Sequence, residues 1–201
     1  MRPLPLVVRL AAMLGCLGST PTFAHLKFES DVEPPSYVVI EHENSNLNID
    51  NVVLVCEDAG DARVLQLQIY LSTEGPLLPK GAMPQQLKSD PRAEIAIDGK
   101  VVPVTLLFAD TYAVLADETD QIFPRLSERL IDAMVTGKIM VLRFDLLAER
   151  AGQPAAFDGE VVIALQPVSG STTVSAVRRC VTVAVDAAST GMITAEALAP
   201  F

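Results

Sequence analysis

The chain contains no tryptophan, and aromatic residues make up only 5% of its 201 residues. Proteins that bind sugars or nucleic-acid bases commonly stack them on exposed aromatic rings, so this scarcity argues against either kind of platform. Catalytic motifs are missing as well. The sequence has no Gly-x-Ser-x-Gly elbow, no Cys-x-x-Cys pair and no glycine-rich phosphate or dinucleotide loop. We therefore expect that the protein is not an enzyme.

The first 24 residues have the three-part pattern of a secretory signal peptide. Arg2 and Arg9 supply positive charge, Leu10–Gly18 forms a short apolar run, and Thr22–Ala24 has small residues at the two positions that a signal peptidase recognises. The apolar run is far shorter than the roughly 20 residues that span a bilayer, so we expect cleavage rather than stable membrane insertion. The sequence predicts a periplasmic or secreted protein whose mature chain begins at His25.

A second interpretation of this leader concerns Cys16. The residues Met13-Leu14-Gly15-Cys16 resemble a bacterial lipoprotein cleavage box, in which the cysteine carries the lipid. That box normally has leucine where Met13 stands and a small residue where Leu14 stands. We therefore favour the signal peptide over lipidation of Cys16.

Negative charge dominates the mature chain. Removing Arg2 and Arg9 leaves 13 of the 15 Lys and Arg residues against 25 Asp and Glu residues, a formal charge near −12. Nucleic acid and anionic lipid headgroups repel such a chain, so we expect neither as a partner. The length fits one domain, and a hydrophobic content of 50% is enough for a core.

Two cysteines, Cys56 and Cys180, remain once the leader is removed. An even number of cysteines in an exported chain predicts a disulfide, which here closes a loop across most of the mature protein. On the chain-entropy model such a closure stabilises a fold by about 4–5 kcal/mol. The alternative is two unpaired thiols, one buried and one exposed, and the oxidising compartment makes it the weaker interpretation.

Strand patterns are the main feature of the first half of the mature chain. Val52–Cys56 is apolar, and Val64–Leu71 alternates with period two, so the two segments predict a β-hairpin. The apolar residues of the second segment are expected to face a core. Its polar residues are expected to form an ordinary wet face, with a strand edge for partner binding as the alternative: Gln66, Gln68 and Tyr70.

The middle of the chain carries the clearest hairpin signal. Glu94–Ile97 and Val101–Phe108 flank the dipeptide Asp98-Gly99, which supplies the positive φ angles of a two-residue type I′ turn. Gly75–Pro91 contains several prolines and is expected to be a long loop. Asp110–Asp120 is polar and acidic, and we expect a loop there too.

Helical spacing appears in the second half. Pro124–Thr136 predicts a helix with proline in its first turn, and Gly137 is placed to end it as a left-handed C-cap. Strands are expected at Ile139–Leu147 and Val161–Leu165. A second short helix within Gly170–Cys180 is the interpretation we favour there, with a strand as the alternative.

Together these elements predict a mainly β protein, an antiparallel β-sandwich with one or two short helices. Behind the signal peptide at 1–24, we expect an extended N-terminal arm at 25–36 and a sandwich domain at 37–185. A C-terminal tail is expected at 186–201.

The order of several features resembles a known family. Those features are Leu54-Val55-Cys56, Leu65-Gln66-Leu67-Gln68-Ile69, Ile97-Asp98-Gly99, Leu126–Gly137 followed by Ile139-Met140-Val141, Phe157, and Gly170-Ser171 leading to Cys180. In this respect the chain resembles the invasion-associated locus B family of small proteobacterial periplasmic proteins. The resemblance implies an exported β-sandwich with cysteines and no established catalytic activity. No binding or catalytic residue is carried over from it.

One metal hypothesis comes from the predicted mature N-terminus. His25 would supply both an α-amine and an imidazole, and His42 would add a second imidazole, which together make the histidine brace that suits copper. The simpler interpretation is that cleavage merely precedes a histidine and that His42 is a solvated residue. We favour the simpler interpretation and otherwise expect no cofactor.

Two charged clusters are open to a similar comparison. Asp117, Glu118 and Asp120 offer oxygen ligands for calcium, but they lack the EF-hand spacing, and an acidic loop before a helix N-terminus is the better interpretation. Arg178-Arg179 beside the last cysteine is expected to be surface charge, with pairing to an acidic partner as the alternative.

The function that these observations predict is non-enzymatic. We expect an exported accessory or binding protein of the cell envelope that acts on an envelope protein partner through a surface of its β domain. A periplasmic copper-binding protein that uses His25 and His42 is the alternative.

Overall fold

The computed structural model describes residues 26–27, 36–40, 44–60, 62–72, 75–119, 123–148, 156–165, 174–179 and 181. Within these ranges the chain forms nine named strands and the helix α1. They are β1 (Leu26–Lys27), β2 (Tyr37–Ile40), β3 (Ile49–Ala59), β4 (Ala62–Leu71), β5 (Leu87–Ile97), β6 (Lys100–Phe108), β7 (Tyr112–Ala116), α1 (Glu128–Thr136), β8 (Ile139–Leu147) and β9 (Gly159–Ala164).

The strands form one antiparallel sheet in the order β1-β2-β3-β4-β7-β6-β5-β8-β9. The prediction of a mainly antiparallel β fold with short helices is confirmed. The finer prediction of a two-sheet sandwich is wrong, because β6 pairs with β5 as far as Val104 and with β7 from Thr105 onward. That single strand joins the two halves into one sheet, which curls into a half-barrel around the core.

Both predicted hairpins form. β3 and β4 pair in register from the pair Asn51–Tyr70 to the pair Ala59–Ala62. Gly60, with a φ of 75°, lies in the turn between them. β5 and β6 meet at Asp98 and Gly99, with φ angles of 47° and 81°, as the Asp-Gly signal requires.

Two predicted loops contain strand. The segment expected to be a loop up to Pro91 already belongs to β5 from Leu87, with an irregular register against β8 before Arg92. The acidic segment 110–120 contains β7, whose residues Ala113–Ala116 are all buried between β4 and β6. Strand pairing on both sides overrides the polar flanks of β7.

Helix α1 begins later than predicted, at Glu128 rather than Pro124. Ser127 is its N-cap, and the Ser127 hydroxyl accepts a hydrogen bond from the backbone N–H of Leu130 at 3.2 Å. Asp117 accepts hydrogen bonds from the backbone N–H of Ser127 at 2.7 Å and from its hydroxyl. These hydrogen bonds place the start of the helix at Ser127.

Gly137 ends α1, but the prediction of a left-handed cap is wrong. Its φ is −72° and its ψ is 164°, which is extended backbone open to any residue. Glycine is needed there for space: a Cβ atom would lie 2.4 Å from Cγ2 of Ile97 and 2.7 Å from the carbonyl oxygen of Ala133. The helix end is therefore packed directly against β5.

The predicted second helix is confirmed over 174–179, where the chain is helical. Val174 and Val177 are fully buried in the core. Arg178, expected to be surface charge, is 33% exposed and forms ion pairs with Glu128 at 2.5 Å and Asp132 at 2.6 Å on α1. These contacts hold the helical segment against α1. The predicted tail at 186–201 lies outside the described residues.

Candidate functional site

The most distinctive feature of the sheet is a slot between β5 and β6. The two strands pair from the Asp98 turn as far as Ala93 and Val104 and then separate. Beyond that point β6 pairs only with β7 along Thr105–Phe108, and β5 pairs only with β8. The change of partner leaves a gap between β5 and β6.

A cavity of about 950 Å³ occupies this slot. That volume is within the range of small-molecule and peptide pockets in proteins. Residues from both faces of the sheet line it, so the cavity passes between the strands. The core-facing side contributes Leu71, Leu87, Val104, Leu106 and Phe108, and the outer side contributes Lys88, Arg92, Glu94, Pro103 and Thr105.

Two aromatic rings at this cavity are exposed to an unusual degree. Phe108 is 51% exposed and Phe157 is 43% exposed, although both are large and apolar. The guanidinium of Arg143 lies 5.8 Å from the centre of the Phe157 ring, within cation–π range. Exposed apolar surface around a cavity of this size is typical of a binding site.

A buried carboxylate stands behind the outer wall of the slot. Asp145 on β8 is 1% exposed, and its two oxygens are held by Lys88 at 2.8 Å and by the guanidinium of Arg92. Burial alone raises the pKa of this carboxyl, but the hydrogen bonds from Lys88 and Arg92 outweigh it and hold the pKa below its usual value. Asp145 is therefore ionised at neutral pH and fixes both cations.

A second ion pair joins β5 and β8 beside the slot. Arg143 on β8 lies opposite Glu94 on β5, and their side chains meet at 2.9 Å. Lys88, Arg92 and Glu94, which line the slot, are thus each paired with a residue of β8.

The outer face of β4 differs from its prediction. The alternating residues Leu65, Leu67 and Ile69 do face the core. Tyr70 is exposed as predicted, but Gln66 and Gln68 are buried, at 6% and 1% exposure, so the prediction of a wet face is wrong for these two residues. β4 lies between β3 and β7, which also removes the alternative of a free strand edge.

Hydrogen bonds explain how these amides are buried. Gln66 donates to the carbonyl oxygen of Pro124 at 2.6 Å, and Gln68 donates both to Gln66 at 3.1 Å and to Glu57 at 3.1 Å. Tyr70 extends the chain by donating to Gln68 at 3.0 Å. Burial, together with nearby Tyr112 and Glu57, raises the pKa of Tyr70. The pattern of alternation could not show that polar groups would satisfy one another.

The predicted metal ligands His25 and His42 lie outside the described residues, so the copper hypothesis stays a prediction. Within the described part of the chain, no group of three or more metal-ligating side chains occurs. Two residues of the predicted acidic loop make structural contacts there. Asp117 accepts a hydrogen bond from the backbone N–H of Ser127, and Glu118 forms an ion pair with Arg125 at 2.7 Å. Asp120 is outside the described residues.

Cys56 lies on β3 with its side chain in the core, 9% exposed, directly opposite Leu65 on β4. Its predicted partner, Cys180, lies outside the described residues, so the bond between them stays a prediction. Leu65 lines a small cleft together with Val181 and Ile131. The residue that follows Cys180 therefore lies beside the strand position opposite Cys56.

None of the helices in the described ranges has the length and hydrophobicity to cross a membrane. Comparisons of this chain with known protein families, with curated proteins and with solved structures found no match.

Sequence reasoning missed the slot entirely. Its lining comes from Lys88–Pro91, part of a segment expected to be loop, and from residues distant in sequence such as Leu71 and Phe157. One signal was present: Pro103 interrupts a run of β-forming residues, and proline inside a strand commonly marks a sheet edge or an irregularity in the pairing.

Proposed function

We propose that this protein is an exported, non-enzymatic binding or accessory protein of the cell envelope, and that its ligand occupies the slot between β5 and β6. The observation that carries the proposal is the cavity of about 950 Å³ at the point where the two strands separate. The secretory pattern of the first 24 residues and the resemblance to small periplasmic proteins support the compartment.

The chemistry of the slot favours binding over catalysis. Its core-facing side is apolar, which supplies affinity through burial of ligand surface. Lys88, Arg92 and Glu94 are each held in an ion pair with a residue of β8, so their positions are fixed before a ligand arrives. Preorganised charge around an apolar floor gives orientation and specificity at little entropic cost.

A neutral, environment-sensitive dye such as Nile red tests this proposal directly, because it reports binding to apolar surface without favouring either charge. Phe108→Ser removes an exposed ring that lines the slot. Burial of one phenylalanine ring against a ligand is worth roughly 1.5–3 kcal/mol, so we expect this variant to bind the dye at least about tenfold more weakly.

Phe123→Ser is the matched control, because Phe123 is 40% exposed and lies outside the slot. Circular dichroism and the thermal midpoint establish that both variants are folded. A wild-type protein that does not bind the dye, or equal losses in the two variants, would contradict a binding function for the slot.

The second part of the proposal concerns the cysteines: we propose that Cys56 pairs with Cys180. The position of Val181 beside Leu65, opposite Cys56, supports it. The bond would tie the helical segment 174–179 and the last described residues to the start of the sheet. The disulfide would then close, by a covalent bond, the part of the half-barrel away from the slot.

A further inference from the structure

The backbone of β6 presents hydrogen-bonding groups to the slot. In an antiparallel pair these groups alternate in direction along the strand. The Asp98-Gly99 turn makes Ile97 and Lys100 a hydrogen-bonded pair, so Val102 and Val104 also point toward β5. Continuing the alternation, the backbone groups of Leu106 and Phe108 point into the slot.

The other strand of the slot is protected against pairing. β5 runs past the slot as Lys88-Ser89-Asp90-Pro91-Arg92, which combines charges with a proline. Pro91 lines the slot within the stretch of β5 whose register is irregular, and it has no backbone N–H to donate. Charged residues and proline are the usual means by which edge strands avoid pairing. β6, with Thr-Leu-Leu-Phe at this place, has no such protection.

The side chains around the slot define what an added strand would need. Leu71, Leu87 and Leu106 form an apolar floor on the core-facing side. Successive side chains of an extended strand point to opposite faces, so every second residue of the occupant would meet this floor. The others would face the outer side, next to Thr105.

Charge at the slot favours a cationic occupant. Lys88 and Arg92 are both bound to Asp145, and Glu94 is paired with Arg143. Two further acids, Asp90 and Asp110, line the slot and form no ion pair with any residue that the structure describes. The lining therefore has negative charge to offer to a ligand.

We infer that the slot binds an extended peptide segment with alternating apolar residues and a basic residue, which adds as a strand to β6 at Thr105–Phe108. This inference rests on the proposed function, since it names the class of ligand that the slot takes. Strand addition supplies affinity through the backbone and specificity through alternate side chains. Four residues of β6 correspond to about 13 Å of pairing at roughly 3.3 Å per residue.

The probe is a capped peptide of sequence Lys-Val-Thr-Val-Thr-Val. Its binding is measured by fluorescence anisotropy, and its effect on the protein is measured by amide hydrogen exchange in NMR spectra. In the free protein we expect the amides of Leu106 and Phe108 to exchange faster than those of Thr105 and Leu107, which pair with β7. Adding the peptide is expected to slow exchange at Leu106 and Phe108 selectively.

Two controls separate strand addition from simple apolar contact. In an added strand, only every second backbone N–H of the peptide donates to β6. N-methylation of these residues is expected to weaken binding by about tenfold more than N-methylation of the residues between them. Asp90→Asn with Asp110→Asn is expected to weaken the lysine peptide relative to the same peptide with Glu in place of Lys. Asp50→Asn, an exposed site on β3 outside the slot, is expected to change neither.

Absence of peptide binding, equal effects of the two methylation sets, or protection of Leu106 and Phe108 already in the free protein would each overturn the inference. If Nile red binds in the slot and the peptide does not, the proposed binding function is retained and the ligand is of a different class. Failure of both probes would remove both proposals.

Discussion

The side-chain amide of Asn46 bonds to the backbone at Glu160 much as a neighbouring strand would. Its oxygen accepts from the N–H of Glu160 at 2.8 Å, and its nitrogen donates to the carbonyl oxygen of Asp158 at 2.7 Å. These bonds join the segment before β3 to the start of β9, more than 100 residues later. Leu47 fills the adjacent space so closely that a Cβ on Gly159 would lie 2.5 Å from its Cδ2.

Asn46→Ala is expected to lower the free energy of unfolding by about 1–2 kcal/mol, because it removes both bonds from an exposed site. Urea denaturation followed by circular dichroism measures the change. Asn51→Ala, an exposed asparagine within β3, is the matched control and is expected to cost less than about 0.5 kcal/mol. Equal costs in the two variants would mean that Asn46 does not join β9 to the rest of the sheet.

Asp145→Asn is expected to destabilise the fold by about 1–3 kcal/mol at neutral pH, because Lys88 and Arg92 lose their shared counter-ion. The folded pKa of Asp145 lies below its unfolded value. Its ionised form therefore stabilises the fold above about pH 4, and that contribution is lost as the pH falls through the folded pKa.

The measurement for Asp145 is unfolding free energy against pH for wild type and variant. The difference between the two is expected to be constant at neutral pH and to shrink in acid. Asp90→Asn removes a carboxylate that lines the same slot, and it is the control: it is expected to change the free energy of unfolding at neutral pH by less than about 0.5 kcal/mol. A difference between wild type and Asp145→Asn that persists undiminished in acid would contradict the role assigned to the carboxylate.

Gly137→Ala tests whether glycine is required for space rather than for an unusual φ. The added methyl would meet Cγ2 of Ile97 at 2.4 Å, so we expect a loss of about 1–3 kcal/mol. In an Ile97→Ala background part of the clash is gone, and the same substitution is expected to cost less. Additive losses in a double-mutant cycle measured by urea denaturation would contradict the packing explanation.

The local parts of this fold were readable from the sequence because local patterns encode them. Period-two alternation and the Asp-Gly dipeptide predicted the β3–β4 and β5–β6 hairpins correctly. β7 was missed because Tyr112–Ala116 is short, does not alternate and lies between acidic residues. Its position is set by pairing with β4 and β6, which no local pattern records.

The candidate site was not readable for a related reason. The slot exists because β6 changes partner between Val104 and Thr105, and a sequence pattern shows that a residue is in a strand without showing which strand it pairs with. Asp145 on β8 and Lys88 on β5 form an ion pair because these two strands are neighbours in the sheet, and strand order is likewise not recorded in a local pattern. Of the whole arrangement only Pro103 left a local signal.

The copper alternative has a test that depends on the N-terminus alone. If the protein purified from a periplasmic extract begins at His25, the histidine-brace hypothesis predicts tight binding of Cu(II) by calorimetry. His42→Ala is expected to weaken that binding, and an alanine inserted before His25 is expected to do the same by moving the α-amine away. Copper binding that both variants leave unchanged would exclude the brace.

Cys56→Ser is expected to lower the free energy of unfolding by about 4–5 kcal/mol if Cys56 is joined to Cys180, since the bond closes most of the mature chain into a loop. Cys180→Ser is expected to cost the same, and the double variant no more than either single one, because one bond is lost in all three. Intact mass is expected to rise by 2 Da on reduction of the wild type, and two thiols then become alkylatable. Additive costs, or a wild type alkylated without reductant, would show that the two cysteines do not form the bond.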